Sequence, residues 1–175
     1  MGLLRRDDTA LVVIDVQEAF RKAVDRFEET ALAVGRLVQG ARILGLPIVV
    51  TEQYPKGLGA TVPEVGLDGE EPLAKTVFAA TRAEGFGLGG RSQALVCGIE
   101  AHVCVHQTIQ ELLAQGVEVH VCTDAVSSRT PENRAIGIER AREGGATITS
   151  VETALLELCG EAGTPEFKAV QKVIM

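Results

Sequence analysis

The chain has 175 residues, 46% hydrophobic and 23% charged, enough apolar material for one well-buried core, so a single domain over 1–175 is expected. Its 17 basic and 24 acidic side chains leave a net charge of −7, the wrong sign for a surface that must neutralise many phosphates, so nucleic acid is not an expected partner. No apolar run reaches the roughly 20 residues that span a bilayer, and MGLLRRDDTA runs into a strand instead of a signal-peptide apolar region, so a soluble cytoplasmic protein with no membrane partner is expected.

The first predicted strand is ALVVID (10–15). Phe27, Ala31, Val34, Val38 and Ala41 then step by four and three, which predicts a helix over 26–44 stopped by Gly45. PIVVT (47–51) is the second strand. Residues 52–74, EQYPKGLGATVPEVGLDGEEPLA, have four Gly, three Pro and no periodicity. A loop that long is either a disordered insertion or the cover of a site. ALVCG (94–98) is the next strand, VCVHQTIQELLAQ (103–115) a helix ended by Gly116, and VEVHVCT (117–123) another strand. Asp124, Ser127, Ser128 and Arg129 read as a polar loop before a helix over 131–143, with Thr130 as N-cap and Pro131 at its first position. ATITS (146–150) is a fifth strand, and helices fit 151–158 and 165–174. Nearly continuous apolar strands alternating with helices predict an α/β fold, a parallel sheet covered on both faces.

In open parallel sheets, chemistry collects outside the carboxyl ends of the strands. Asp15 stands there, at the end of ALVVID, although a carboxylate in that position serves equally as the N-cap of a following turn. Cys104 lies six residues past ALVCG in the first turn of the 103–115 helix, where backbone N–H groups and the helix dipole favour a thiolate. Cys97, Cys122 and Cys159 read as packing, and with no C-x-x-C pair all four read as reduced thiols. Lys75, in PLAKTVFAA, reads alone as a snorkelling surface lysine; between Asp15 and Cys104 it would hold both charged and in register.

ALVVIDVQEAF, TEQYPKGLG, AKTVFAA and GIEAHVCVHQT occur in the order and spacing of the isochorismatase-like cysteine hydrolase superfamily, which the chain resembles from about residue 8 to its end. VEVHVCTDAVSSRT and LLELCGEAGTPEFKAVQKVI resemble the subfamily of isochorismatase domain-containing proteins. The resemblance implies a three-layer Rossmann-like fold with a six-stranded parallel sheet in the order 3-2-1-4-5-6, its extra strand near 75–78. It also implies an Asp15, Lys75, Cys104 triad, a cis peptide between Ile99 and Glu100, and an oxyanion hole made by the backbone N–H groups of Glu100 and Cys104. The expected activity is cysteine-dependent hydrolysis of a small amide-like or related carbonyl compound through a thioester. Gln17, Phe20, Tyr54 and Phe78 are candidates for shaping the pocket, and members of this superfamily commonly form dimers or tetramers.

Other signals weigh less. GFGLGG (85–90) fits G-x-G-x-x-G but precedes a strand, inverting the dinucleotide-binding context, so no cofactor is expected. HVCVH offers His102, Cys104 and His106, which diverge across a helix start, and the EQYPKGLG loop lacks the His residues with which the nicotinamidase branch holds its metal; no metal is expected. His106 reads as a helix-surface residue and His120 as a strand residue opposite Val119 and Val121. Isochorismate hydrolysis itself fits less well, since relatives with that vinyl-ether chemistry do not use the cysteine. The rivals are a catalytically idle scaffold of the same fold and a redox sensor acting through Cys104.

Overall fold

The computed structural model describes residues 2–175. Its centre is a parallel sheet of β1 (Thr9–Ile14), β2 (Ile48–Gln53), β3 (Leu73–Lys75), β4 (Gln93–Ile99), β5 (Glu118–Ser127) and β6 (Thr147–Thr149), arranged β3-β2-β1-β4-β5-β6. The helices are α1 (Phe27–Leu44), α2 (Pro55–Leu58), α3 (His106–Ala114), α4 (Pro131–Glu143), α5 (Val151–Cys159) and α6 (Pro165–Ile174). The sheet is the expected six-stranded one, with strand order reversing between β1 and β4.

Alternation along β1 and β4 divides the core. Leu11, Val13, Leu95 and Cys97 pack with residues of α1 and α5, such as Leu37 and Leu155, while Val12, Ile14, Ala94 and Val96 pack with Ile109 and Leu112 of α3. Burying both faces explains why these strands lack polar alternation. Helix starts follow local chemistry: the hydroxyls of Thr130, Ser150 and Thr164 accept the N–H groups of Asn133, Thr153 and Phe167.

Four local readings change. The loop 52–74 is built: it contains α2 and a short turn at Pro63–Val65, and it ends in β3. The extra strand therefore lies at 73–75, and Thr76–Phe78 leave the sheet. Residues 124–127 belong to β5, whose pairing with β4 slips from Val96↔Val121 to Gly98↔Val126. The slip frees the Asp124 carboxylate to accept the Val151 N–H at the start of α5, at 3.0 and 3.1 Å. His106 is buried, because α3 presses its first turn inward, and burial lowers its imidazole from the ordinary value.

Candidate active site

β1 and β4 end side by side at the point where strand order reverses, and they approach closely. A β-carbon on Gly98 would lie 2.1 Å from the Ile14 carbonyl oxygen, so only glycine fits there. Asp15 leaves β1 in the left-handed conformation, φ 51°, which Asp tolerates better than a β-branched residue. Its N–H donates to the Thr51 carbonyl at 3.1 Å, and the Thr51 hydroxyl donates to Oδ1 at 2.7 Å.

Lys75 ends β3, two strands away, and reaches back across β2. Its Nζ is 2.6 Å from Asp15 Oδ2, with both side chains at 0% exposure. The ammonium is also 2.7 Å from Gln53 Oε1, 3.0 Å from the Phe78 carbonyl and 3.3 Å from that of Val77. Partners on every side are what permit a full charge to remain there. The snorkelling alternative for Lys75 is thereby corrected.

After β4 the Ile99–Glu100 peptide is cis, and a single π-helical turn, Ala101–Val105, carries Cys104 into α3. A β-carbon at Gly137 would sit 2.5 Å from the Ala101 carbonyl, so glycine lets α4 lie directly against this turn. Cys104 is 5% exposed. Burial pushes its thiol up to about 12, the Asp15 carboxylate adds to the rise, and Lys75 together with a hydrogen bond from the Glu100 N–H pulls the other way. The expectation of a helix-end thiolate is therefore corrected: desolvation and the facing carboxylate outweigh the helix end and raise the thiol above its ordinary value.

The Glu100 side chain turns away from the thiol. Its carboxylate accepts the Arg129 backbone N–H and Nε, each at 3.0 Å, and Nη2 at 2.8 Å. Burial alone would raise this carboxyl; the Arg129 bonds outweigh it and hold it below the usual range. His102 Nδ1 lies 3.1 Å from the Ser128 hydroxyl.

Asp15, Lys75, Cys104 and the Glu100 N–H thus converge, whereas the other candidates scatter. The buried Gln17 amide donates to the carbonyls of Gln53 and Gly59 at 3.0 and 2.7 Å and accepts the Gln53 N–H at 2.7 Å, so it braces the segment after β2 instead of presenting itself to a ligand. Phe20 is partly buried and packs against the core. Tyr54 and Phe78 are 55% and 51% exposed. A cavity of about 470 Å³ outside β3 is lined by Tyr54, Lys56, Val77, Arg82 and Lys75, the one triad member it touches. Thr51 and Gln53 were missed from the sequence, though both are polar residues closing an otherwise apolar strand beside Asp15. Among the described residues, no three His, Cys, Asp or Glu side chains group as a metal site, and no helix is long and apolar enough to cross a membrane.

Known proteins resemble this chain in sequence and fold. Human isochorismatase domain-containing protein 2 is 41% identical over 177 aligned residues, covering 99% of this chain and 86% of its own. A solved structure described as MAR1 ribonuclease from Caenorhabditis elegans superposes with a TM-score of 0.92 at 39% identity, covering 99% of this chain and 92% of that one. The YcaC gene product of Escherichia coli, described as an octameric hydrolase of unknown specificity, shares the fold, with a TM-score of 0.91 at 21% identity over 99% of this chain and 90% of that one. Residues 9–153 match the isochorismatase domain, and the chain belongs to that family of hydrolase fold.

Proposed function

We propose that the protein is a cofactor-independent cysteine hydrolase of a small amide-like or related carbonyl compound, with Asp15, Lys75 and Cys104 as its triad. The observation that carries this is the buried Lys75–Asp15 pair set against a nearly buried Cys104, whose thiol burial and Asp15 push up. A protonated nucleophile needs a base at the moment of attack, and Asp15 is that base. Asp15 takes the thiol proton as the sulfur bonds to the substrate carbonyl carbon. The resulting oxyanion is held by the N–H groups of Glu100 and Cys104. As the intermediate collapses, the C–N bond breaks and Asp15 gives its proton to the departing amine. Water then attacks the thioester, releasing the acid and returning the proton to the sulfur. Lys75, bonded to Asp15 at 2.6 Å, holds the carboxyl group in place throughout.

The slight exposure of Cys104 favours small substrates. Tyr54 and Phe78 shape the approach, and a homodimer or tetramer would cover the exposed Tyr54, Val77 and Phe78. Four free cysteines suit a reducing compartment such as the cytoplasm. RNA is the competing substrate raised by the C. elegans neighbour, and the net charge of −7 argues against it. Wild type and Cys104→Ala are to be incubated with a panel of small amides and carbamoyl compounds and, separately, with single-stranded RNA. Amine or ammonia release that disappears in Cys104→Ala supports the hydrolase. RNA cleavage that Cys104→Ala retains would sink it, and silence on both arms favours an idle scaffold.

A further inference from the structure

The triad comes from three separate chain segments: β1 pairs with β4 and Lys75 bonds Asp15, which leaves the segment of Lys75 without a direct tie to the turn of Cys104. Asp15 and Lys75 hold each other directly, and Lys75 is held by the carbonyls of Val77 and Phe78. Cys104 rides on its own turn, after β4. Thr108 closes the gap. This residue of α3 is completely buried, and its hydroxyl donates to the Cys104 carbonyl at 2.7 Å while accepting the Ala80 N–H at 2.8 Å. Ala80 is two residues beyond Phe78, at the start of a short turn, Ala80–Arg82, that packs on α3. The path therefore runs from Asp15 to Lys75, through the Val77 and Phe78 carbonyls to Ala80, and through the Thr108 hydroxyl to the Cys104 backbone.

A threonine bonding the carbonyl four residues earlier is common on helices and slightly unfavourable to them. What sets Thr108 apart is its second bond, to a residue 28 positions away whose buried N–H would otherwise lack an acceptor. Serine or threonine can both accept and donate there; valine, of the same shape, can do neither.

We propose that Thr108 is a positioning residue, a hydroxyl staple that fixes the turn carrying Cys104 in register with the segment carrying Lys75. The inference rests on the triad reading above. It acts through geometry: a displacement of about 1 Å at a nucleophile is enough to cost of order a hundredfold in rate.

The test uses iodoacetamide as the probe and reads alkylation of each cysteine by mass spectrometry across pH 6–10, so no natural substrate is required. A buried thiol reacting without assistance speeds up about tenfold per pH unit until it ionises, whereas one deprotonated by Asp15 during attack shows a pH-independent plateau. Asp15→Asn should abolish the plateau and, by removing a charge that raises the thiol, move the remaining climb to lower pH. Thr108→Val should lower the plateau about tenfold or more, and Thr108→Ser should recover most of it. Fully buried Cys97 and Cys122 report any general opening of the fold in the same sample. If Thr108→Val does not fold, Thr108→Ala removes the same hydroxyl without crowding its neighbours. A plateau lost in Asp15→Asn but untouched in both hydroxyl-free variants overturns the staple alone. A wild-type profile with no plateau overturns the triad reading and the staple with it.

Discussion

The two ends of this sheet bury polar groups in opposite ways. At the amino end of β4, Gln93 Oε1 accepts from the Arg5 N–H and the Thr9 hydroxyl at 2.8 and 2.9 Å, and its Nε2 donates to the Leu3 carbonyl and Glu118 at 3.1 and 3.0 Å. Every bonding capacity of that amide is met without burying a full charge, and the arrangement ties the start of the chain to the sheet. At the carboxyl end an ammonium, a carboxylate and a thiol share one dry site. Burying charge stabilises little by itself and becomes harmful as soon as one partner is missing. The first end is built to hold the fold; the second holds a set of groups whose value lies in moving a proton.

The largest expected effect breaks the second end alone. Cys104→Ala should reduce amide turnover by about a thousandfold or more while shifting the unfolding midpoint only slightly, since a small buried thiol is exchanged for a methyl. Ammonia release and thermal unfolding on the same preparation check both halves. Lys75→Met comes next in size. Leaving the Asp15 carboxylate buried and unpaired should cost about 3–5 kcal/mol in urea unfolding, and adding Asp15→Asn should recover part of that loss. If the double variant is no more stable than the single, the charges are not coupled as described.

Gln93→Leu attacks the other end. It should cost about 1–3 kcal/mol of stability by orphaning buried partners yet leave turnover within about twofold, and a large kinetic defect would show that the ends are not independent. The smallest effect concerns Glu100, whose carboxyl Arg129 holds below its usual range. A depressed carboxyl contributes stability above its unfolded value, about 4.3, and loses it as pH falls through the lower folded value. Arg129 is 62% exposed, so solvent screening limits the effect of Arg129→Ala to about 1 kcal/mol or less at pH 7. That difference should narrow as unfolding is repeated toward pH 3.

The difference between the ends also explains what could be read in advance. Five of the six strands stand out from their apolar runs, and the helix starts at Thr130 and Ser150 follow from capping chemistry that involves only a few neighbouring residues. β3 does not stand out, because Leu73, Ala74 and Lys75 make a three-residue edge strand with no pattern of their own, and pairing with Thr51–Gln53 supplies what holds it. Strand-end chemistry suggests Asp15, Lys75 and Cys104 as a set, and only the resemblance to a family makes that set a triad. Alone, each has a plainer reading, because the spacing of 60 residues between Asp15 and Lys75 says nothing of the 2.6 Å between their charged atoms. Thr108 carried no signal at all, being one threonine on a helix until Ala80 is placed beside it.

The sequence by itself determined the alternation of strands and helices, the double-sided burial of the sheet and the presence of a carboxylate and a thiol near strand ends. These depend on propensities and periodicities that act over a few residues. Only the tertiary structure decided that burial raises the Cys104 thiol, that Lys75 is buried against Asp15, and that Gln17 braces a loop. Each of those is settled by which groups from distant segments exclude water together, and desolvation belongs to the assembled site, not to any residue within it.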